Sequence, residues 1–573
     1  MTPALAPSLR IVYHTRQMEK AMQVLGSRSS WMKFAFFILF LLCGVCTAWI
    51  CNGRPLIGID DANIFFCYAE NMAKGLGVTY SNNGVPVEGC TSMLWLLVCT
   101  LNFFLGLNEC GVFLCSLVCL VIAQLLWVKT LKKTRCNATV YYALVISCPA
   151  YITWMSITLM DTALWGLMVA WLAYMLFDEI DGTSSSNLIA KALPFVISPL
   201  VRPESMYVVT ITLLIIGAHH ALCRKSLKPV VVASLAFCAM VGIITIFRIW
   251  YFGFPLPNTY YAKVSPSFFY NIKCGIVYAS RYLSAGFPIA VFALGSALFI
   301  CSMLVSSRRT IAMRTVQNAG MVALWIWTAL LMLTPVLTGG DHFELYRFFQ
   351  PYYPAICVVL TVGAAKTRLF DVAFRHLSPT SRPLLMMAFA CALAAIGWNG
   401  RNSWAFALAK GSSLAHEFRI AENDYMLGMT LNGMFDHAGS LPVIGTITAG
   451  GISRTYKGQL VDLMGLNDIR IAHHKGNRHG MKNHAAFEPD IFPELGIDIL
   501  ATDPIEGSDL FLKGMCGKPE FAAEWRYGIL CKKDRNLSAT ALFARKWLDK
   551  TLETGLYSYE DKLVWDGHRW IQP

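Results

Sequence analysis

The sequence predicts a polytopic α-helical membrane protein with about eleven transmembrane helices and a C-terminal soluble α/β domain. Three observations carry this expectation. The 573 residues are 55% apolar, with a mean hydropathy of +0.49. Only 14% are charged, where an ordinary soluble domain carries about 25%. The charge is also unevenly placed, because 41 of the last 173 residues are charged but only 42 of the first 400. Residues 1–31 read as a cytoplasmic segment, 32–400 as the membrane domain and 401–573 as the soluble domain. The net charge of +13 resides in the membrane part, where 28 Lys/Arg face 14 Asp/Glu, against 20 and 21 in the last 173 residues. Loops that set membrane orientation produce such an excess, so it argues for no nucleic-acid partner. No Walker A loop or dinucleotide fingerprint is present.

The first apolar run, Met32 to Ile50, follows a leader containing Arg10, Arg16, Lys20 and Arg28. It reads as an uncleaved anchor entering from the cytoplasm, being too long for a signal-peptide core. Further runs lie near 91–107, 110–128, 138–157, 161–177, 188–201, 205–222, 229–248, 286–305, 319–337, 351–365 and 383–399. If both 91–107 and 110–128 crossed, Lys129, Lys132, Lys133 and Arg135 would fall outside, against the positive-inside rule. Laying 91–107 along the outer interface leaves eleven spans. It also puts Arg224, Lys225 and Lys228, then Arg308, Arg309 and Arg314, then Lys366, Arg368, Arg375 and Arg382 inside. Asp178, Glu179 and Asp181 would also be inside, but acidic residues weigh little in this rule.

With this topology the outer loops, 51–109, 249–285 and 338–350 among them, hold the ionisable residues Asp60, Asp61, Glu88, Asp161, Arg202, Glu204, Lys263, Asp341 and Arg347. Such groups are costly against lipid and normally face a cavity or a partner, so one polar cavity at the outer face is the economical explanation. Adjacent carboxylates can provide a general base for an attacking hydroxyl, because repulsion raises one pKa. Asp60 is the first choice and Asp61 the alternative; Asp60 could instead cap a helix starting near Ala62. Arg202, Lys263 and Arg347 offer cations suited to phosphate.

Six blocks occur in order: Ile59–Gly77, Val87–Trp95, Leu159–Trp165, Leu200–Ser205, Arg248–Lys263, and Gly339–Asp341 followed by Tyr346–Phe348. Together they resemble the AftB-like arabinofuranosyltransferases, membrane glycosyltransferases of the GT-C type. Val461–Ala472 extends the likeness into the soluble domain, so that it spans about residues 55 to 500. Two positions depart from the family pattern. Cys67 stands where the family carries Arg and cannot hold an anion as Arg would, and Asp161 replaces a Glu with a shorter arm.

The resemblance implies a GT-C fold and transfer of arabinofuranose or a related pentose from a polyprenyl-phosphate donor. The base would be Asp60 or Asp61. Lys263, Arg347, Arg202, Asn258, Asp341 and Tyr261 would hold the donor's phosphate and sugar, with Glu88, Asp161 and Glu204 as supporting acids. The acceptor would be a glycan, a lipid or a surface protein outside a bacterial cytoplasmic membrane. No cofactor is required by the sequence, and a divalent cation remains open. The rival class is a lipid-linked sugar flippase or transporter, but the matching broken-helix repeats of transporters are not visible.

In the soluble domain, 441–447 and 497–501 read as short strands and 541–551 as a helix. His473, His474, His479 and His484 lie within twelve residues, but no cysteine or i,i+4 helical pairing completes a zinc site. Cys516 and Cys531 are the disulfide candidates if this domain faces an oxidising compartment.

Overall fold

The structure, a computed structural model, describes residues 31–573 apart from 82–83, 135, 182–187, 286, 306–318, 367–399 and 437–438. The expected span 383–399, the leader and Arg135, Arg308, Arg309, Arg314, Arg368, Arg375 and Arg382 lie outside the described residues. The architecture is a polytopic helical bundle followed by an α/β domain. Among the described residues, seven helices are long and apolar enough to cross a membrane: Trp31–Cys51, Asn108–Lys133, Thr162–Asp181, Ser205–Leu222, Lys228–Phe252, Ala319–Leu337 and Arg347–Lys366. Thr162–Asp181 is apolar all round as far as Phe177 and buried over most of its length, as a central helix must be. Lys228–Phe252 turns most of its surface outward, with Leu235, Ile243, Ile246 and Trp250 exposed.

Other apolar runs depart from single full spans for identifiable reasons. The run 138–157 breaks into helices Thr139–Ile146 and Pro149–Trp154, because Pro149 lacks an amide donor and the Cys148 sulfur caps the Tyr151 amide at 3.3 Å. Leu188–Val201 contains Pro194 and Pro199 and has 14 residues. At 1.5 Å per residue it reaches about 21 Å, short of a bilayer core of about 30 Å. Met93–Phe104 is shorter still, with Leu97, Leu101 and Phe104 exposed on one side. Helix Phe287–Val305 packs along Tyr353–Lys366. Cys43 and Cys46, spaced as C-x-x-C in the first helix, are free thiols.

Ion pairs explain the acidic exception among the loops. Lys133 pairs with Asp178, Lys191 with Glu179 at 2.8 Å, and Lys225 Nζ donates to the Ile180 carbonyl at 3.3 Å. Basic residues of three segments thus gather with these acids at one end of the bundle. Asp161, Arg202, Glu204 and Arg248 lie at the other.

The α/β domain contains a seven-stranded mixed sheet: β1 Ile444–Thr446, β2 Leu460–Asp462, β3 Ile499–Leu500, β4 Trp525–Lys532, β5 Leu537–Ala544, β6 Tyr557–Trp565 and β7 Trp570–Ile571. Their order is β2-β1-β3-β5-β4-β6-β7, parallel among β2, β1 and β3 and antiparallel elsewhere. The helix expected at 541–551 begins only at Arg545. Residues up to Ala544 belong to β5, where Leu542 and Phe543 are fully buried and both neighbouring strands take the backbone bonds. Tertiary pairing overrides local preference there. Cys516 and Cys531 are free thiols.

The junction between the two parts is polar and close. Helix Asp60–Ala73 begins with the acid pair, and the Asp60 carboxylate accepts the amides of Gly450 at 3.0 Å and Gly451 at 2.7 Å. Beside it Arg454 reaches Glu70 and Glu109, each at 2.7 Å, and the Asn63 side-chain carbonyl at 3.1 Å. Tyr80 Oη donates to the Ala449 carbonyl at 2.5 Å. A Cβ at Gly450 would overlap the Asp60 backbone carbonyl, so the approach requires glycine. Gly450→Ala is therefore expected to loosen the junction, read as faster proteolytic release of the α/β domain and a Tm several degrees lower in detergent. An unchanged digestion pattern would contradict the assignment.

Candidate functional site

At the end of the bundle away from Lys133, Lys191 and Lys225, the helices and the α/β domain enclose a cleft of about 690 Å³. Its polar walls include Asp61, Asp161, Arg202, Glu204, Arg248, Lys263, Arg347, Lys482 and Asn483. From them an apolar trough continues along Met206, Val241, Ile244, Phe268 and Leu337. Val241 lies seven residues from Arg248 on one helix, so the trough extends about 10 Å from the charged region.

Arg347 organises the acids. Its Nη1 donates to Asp61 at 3.2 Å, its Nε pairs with Asp341 at 2.7 Å, and its guanidinium lies 4.6 Å from the Phe343 ring centre. Asn483 donates to Asp341 at 2.9 Å. Burial pushes Asp341 upward, but Arg347 and His342 outweigh it and hold the carboxyl well below its ordinary value. Burial likewise raises Asp61, but Lys263, Arg347 and His342 bring it below its ordinary value. Arg202 is engaged too, donating to Asp161 at 2.9 Å and to both Glu204 oxygens at 2.9 and 3.1 Å. Arg248 forms a bidentate pair with Glu88 at 2.8 Å.

The adjacent acids therefore do different things. Asp60 does not cap its own helix, whose N-cap is Ile59; it holds the Gly450 and Gly451 amides away from the cleft lining. Burial raises its pKa to about 6 against the pull of those two amides. Asp61 lines the cleft beside Arg347. Asn258 and Tyr261 serve the junction: Asn258 Nδ2 donates to the Gly465 and Leu466 carbonyls at 2.9 Å, and Tyr261 packs on His473 with ring centres 4.2 Å apart. The structure thus brings Asp61, Asp161, Arg202, Glu204, Lys263 and Arg347 to the cleft, with Asp341 behind Arg347 and Glu88 behind Arg248.

Lys482 and Asn483 were not distinguished by the sequence. They lie in a loop without periodicity, and no motif marks them.

The histidines disperse. His473 stacks on Phe254, His474 meets Asp490, His479 stacks on Tyr270, and His484 Nε2 lies 3.3 Å from His342 Nε2. Burial lowers the His484 pKa to about 3, with His342 and Lys263 adding to the effect. Among the described residues, no group of three or more His, Cys, Asp or Glu side chains is arranged for a metal. Arg347 already bridges Asp61 and Asp341, so these two carboxylates do not fit a bridging cation.

No family model matches the chain, and no curated protein matches it. Among solved structures, the chain is similar to the archaeal oligosaccharyltransferase AglB from Archaeoglobus fulgidus, in complex with an inhibitory peptide and a dolichol-phosphate. That alignment has 9% identity and a TM-score of 0.48, covering 89% of this chain and 74% of the other. A second is ArnT from Cupriavidus metallidurans bound to undecaprenyl phosphate, at 11% identity and a TM-score of 0.49, covering 90% and 99%. Likeness at this level transfers no residue role and no activity to this chain.

Proposed function

We propose that the protein is a membrane glycosyltransferase that moves a sugar, arabinofuranose or a related pentose, from a polyprenyl-phosphate donor to an acceptor hydroxyl outside a bacterial cytoplasmic membrane. The observation that carries the reading is the cleft itself, which joins a carboxylate and cations to an apolar trough between membrane helices. A sugar phosphate on a lipid tail has that same division of polarity. The six sequence blocks resembling GT-C arabinofuranosyltransferases support the reading independently.

In the proposed step Asp61 accepts the proton of the acceptor hydroxyl as its oxygen attacks the anomeric carbon. The bond from that carbon to the phosphate oxygen breaks, and its electron pair leaves with the lipid phosphate. Lys263 stabilises the charge gained by the leaving group, while Arg347 positions Asp61. Asp61 is favoured over Asp60 because it lines the cleft and Asp60 is engaged by two backbone amides. A transporter would move the labelled lipid across the bilayer and leave its phosphate–sugar bond intact. Membranes containing the protein, given a radiolabelled polyprenyl-phosphate pentose, are expected to pass label to a lipid-extracted acceptor fraction. Label that stays wholly on the donor lipid would overturn the reading.

A further inference from the structure

The cations of the cleft differ in what they already hold. Arg202 is neutralised by Asp161 and Glu204, Arg248 by Glu88, and Arg347 by Asp61 and Asp341. Lys263 and Lys482 remain: among the described residues neither ammonium has a carboxylate within 4.0 Å, and both line the cleft. They come from different parts of the molecule. Lys263 ends the short helix Asn258–Lys263, whereas Lys482 belongs to the loop of the α/β domain between Ile469–His473 and Pro489–Leu495.

That loop is fixed on both sides of Lys482. Asn483 donates to Asp341, His484 meets His342, Ser265 Oγ donates to the Asn477 carbonyl at 2.6 Å, and Arg478 Nε donates to the Tyr261 carbonyl at 3.1 Å. The Lys482 ammonium lies over Gly339, 2.7 Å from where a Cβ at that position would stand. A side chain at 339 would push the ammonium aside, and the φ of 82° there favours glycine in any case. The hydrogen bonds of this loop and the Gly339 backbone thus hold an ammonium that touches no carboxylate among the described residues, in a cleft that already contains another.

We infer that Lys482, with Lys263, forms the anion cradle for the donor's phosphate, so that the α/β domain completes the donor site. This rests on the function proposed above and adds a residue and a division of labour to it. Charge accounting favours lysine in this role, since the donor's phosphodiester carries one negative charge and the departing phosphate monoester about 1.5 to 2 at neutral pH. Two compact ammonium groups can meet that increase, whereas arginines already held by carboxylates cannot without breaking an ion pair. Burial lowers the Lys482 pKa, Cys274 and Asp341 offset only part of that, and the nearby Lys263 adds to the lowering. A phosphate between the two would offset both costs.

The test uses the full-length protein in detergent and two probes, farnesyl phosphate and inorganic phosphate, read by thermal shift against concentration. Lys482→Met is expected to weaken farnesyl phosphate binding by about ten- to a hundred-fold. Lys482→Arg should stay within about three-fold, and Lys562→Met on the exposed strand β6 should match the parent. Equal weakening for inorganic phosphate would assign the site to the phosphate alone, and weakening limited to farnesyl phosphate would assign it to a lipid headgroup; both support a cradle. In transfer assays Lys482→Met should raise the donor KM more than it lowers kcat. If the parent protein transfers sugar and Lys482→Met matches it in both binding and donor KM, the inference fails while the function stands. If the parent transfers no sugar yet binds farnesyl phosphate through Lys482, the function fails and the anion site stands.

Discussion

Asp61→Asn is expected to lower kcat by about 10²- to 10⁴-fold, the range contributed by a positioned general base, with a smaller loss of Tm because Arg347 loses one of its two carboxylates but keeps Asp341. Asp60→Asn should give the opposite pattern. Its carboxylate holds the Gly450 and Gly451 amides, and replacing one of its oxygens with an NH₂ donor would set donor against donor at the junction. The cost should be about 1–3 kcal/mol of stability, with kcat falling far less than in Asp61→Asn. The pH profile separates the two acids further. A base works when ionised, so the rate is constant above its pKa and is lost as pH falls through it. With Asp61 held below its ordinary value by Lys263, Arg347 and His342 against burial, the acid limb of kcat/KM should fall below the ordinary aspartate range. A limb near pH 6 that disappears in Asp60→Asn would reinstate Asp60 as the base.

Arg347→Met is expected to damage stability and activity together. Arg347 is 4% exposed and pairs with both Asp61 and Asp341. Removing it strands the buried carboxylate of Asp341 and the partly buried one of Asp61, and breaking a buried pair in this way costs about 3–5 kcal/mol. The expected reading is a marked loss of detergent-solubilised folded protein and no detectable transfer. Arg347→Lys should recover folding only in part, because one ammonium cannot span both carboxylates or replace the guanidinium's contacts with Phe343 and Phe348. Wild-type Tm and turnover in Arg347→Met would show that the acids are held by something else.

Most of the charged cleft was legible in the sequence, because charged residues interrupting apolar runs are rare and costly enough to be noticed one by one. Asp161, Arg202, Glu204, Lys263 and Arg347 all stood out in this way. The division between Asp60 and Asp61 did not. Successive helical residues point about 100° apart, so which acid meets the cleft depends on what docks against the other, and that partner lies 390 residues away. Asn258 and Tyr261 were legible as motif members, but their docking contacts involve residues more than 200 positions downstream. The helix expected over 541–551 was displaced by strand pairing, and the span at 138–157 by the missing amide of Pro149. Lys482 carried no signal because an isolated lysine in a polar loop resembles any solvated surface residue. Its place in the cleft lining, above Gly339, sets it apart.

The glycine pair that grips Asp60 also limits how this chain can be re-engineered. A hybrid made by grafting a foreign exterior module onto the helical half, with the aim of changing which molecule receives the sugar, would replace Gly450, Gly451 and the segment carrying Lys482 in a single exchange. Such a graft would have to keep these three contacts from the host while varying the distal strands. Otherwise a silent hybrid would say nothing about recipient choice.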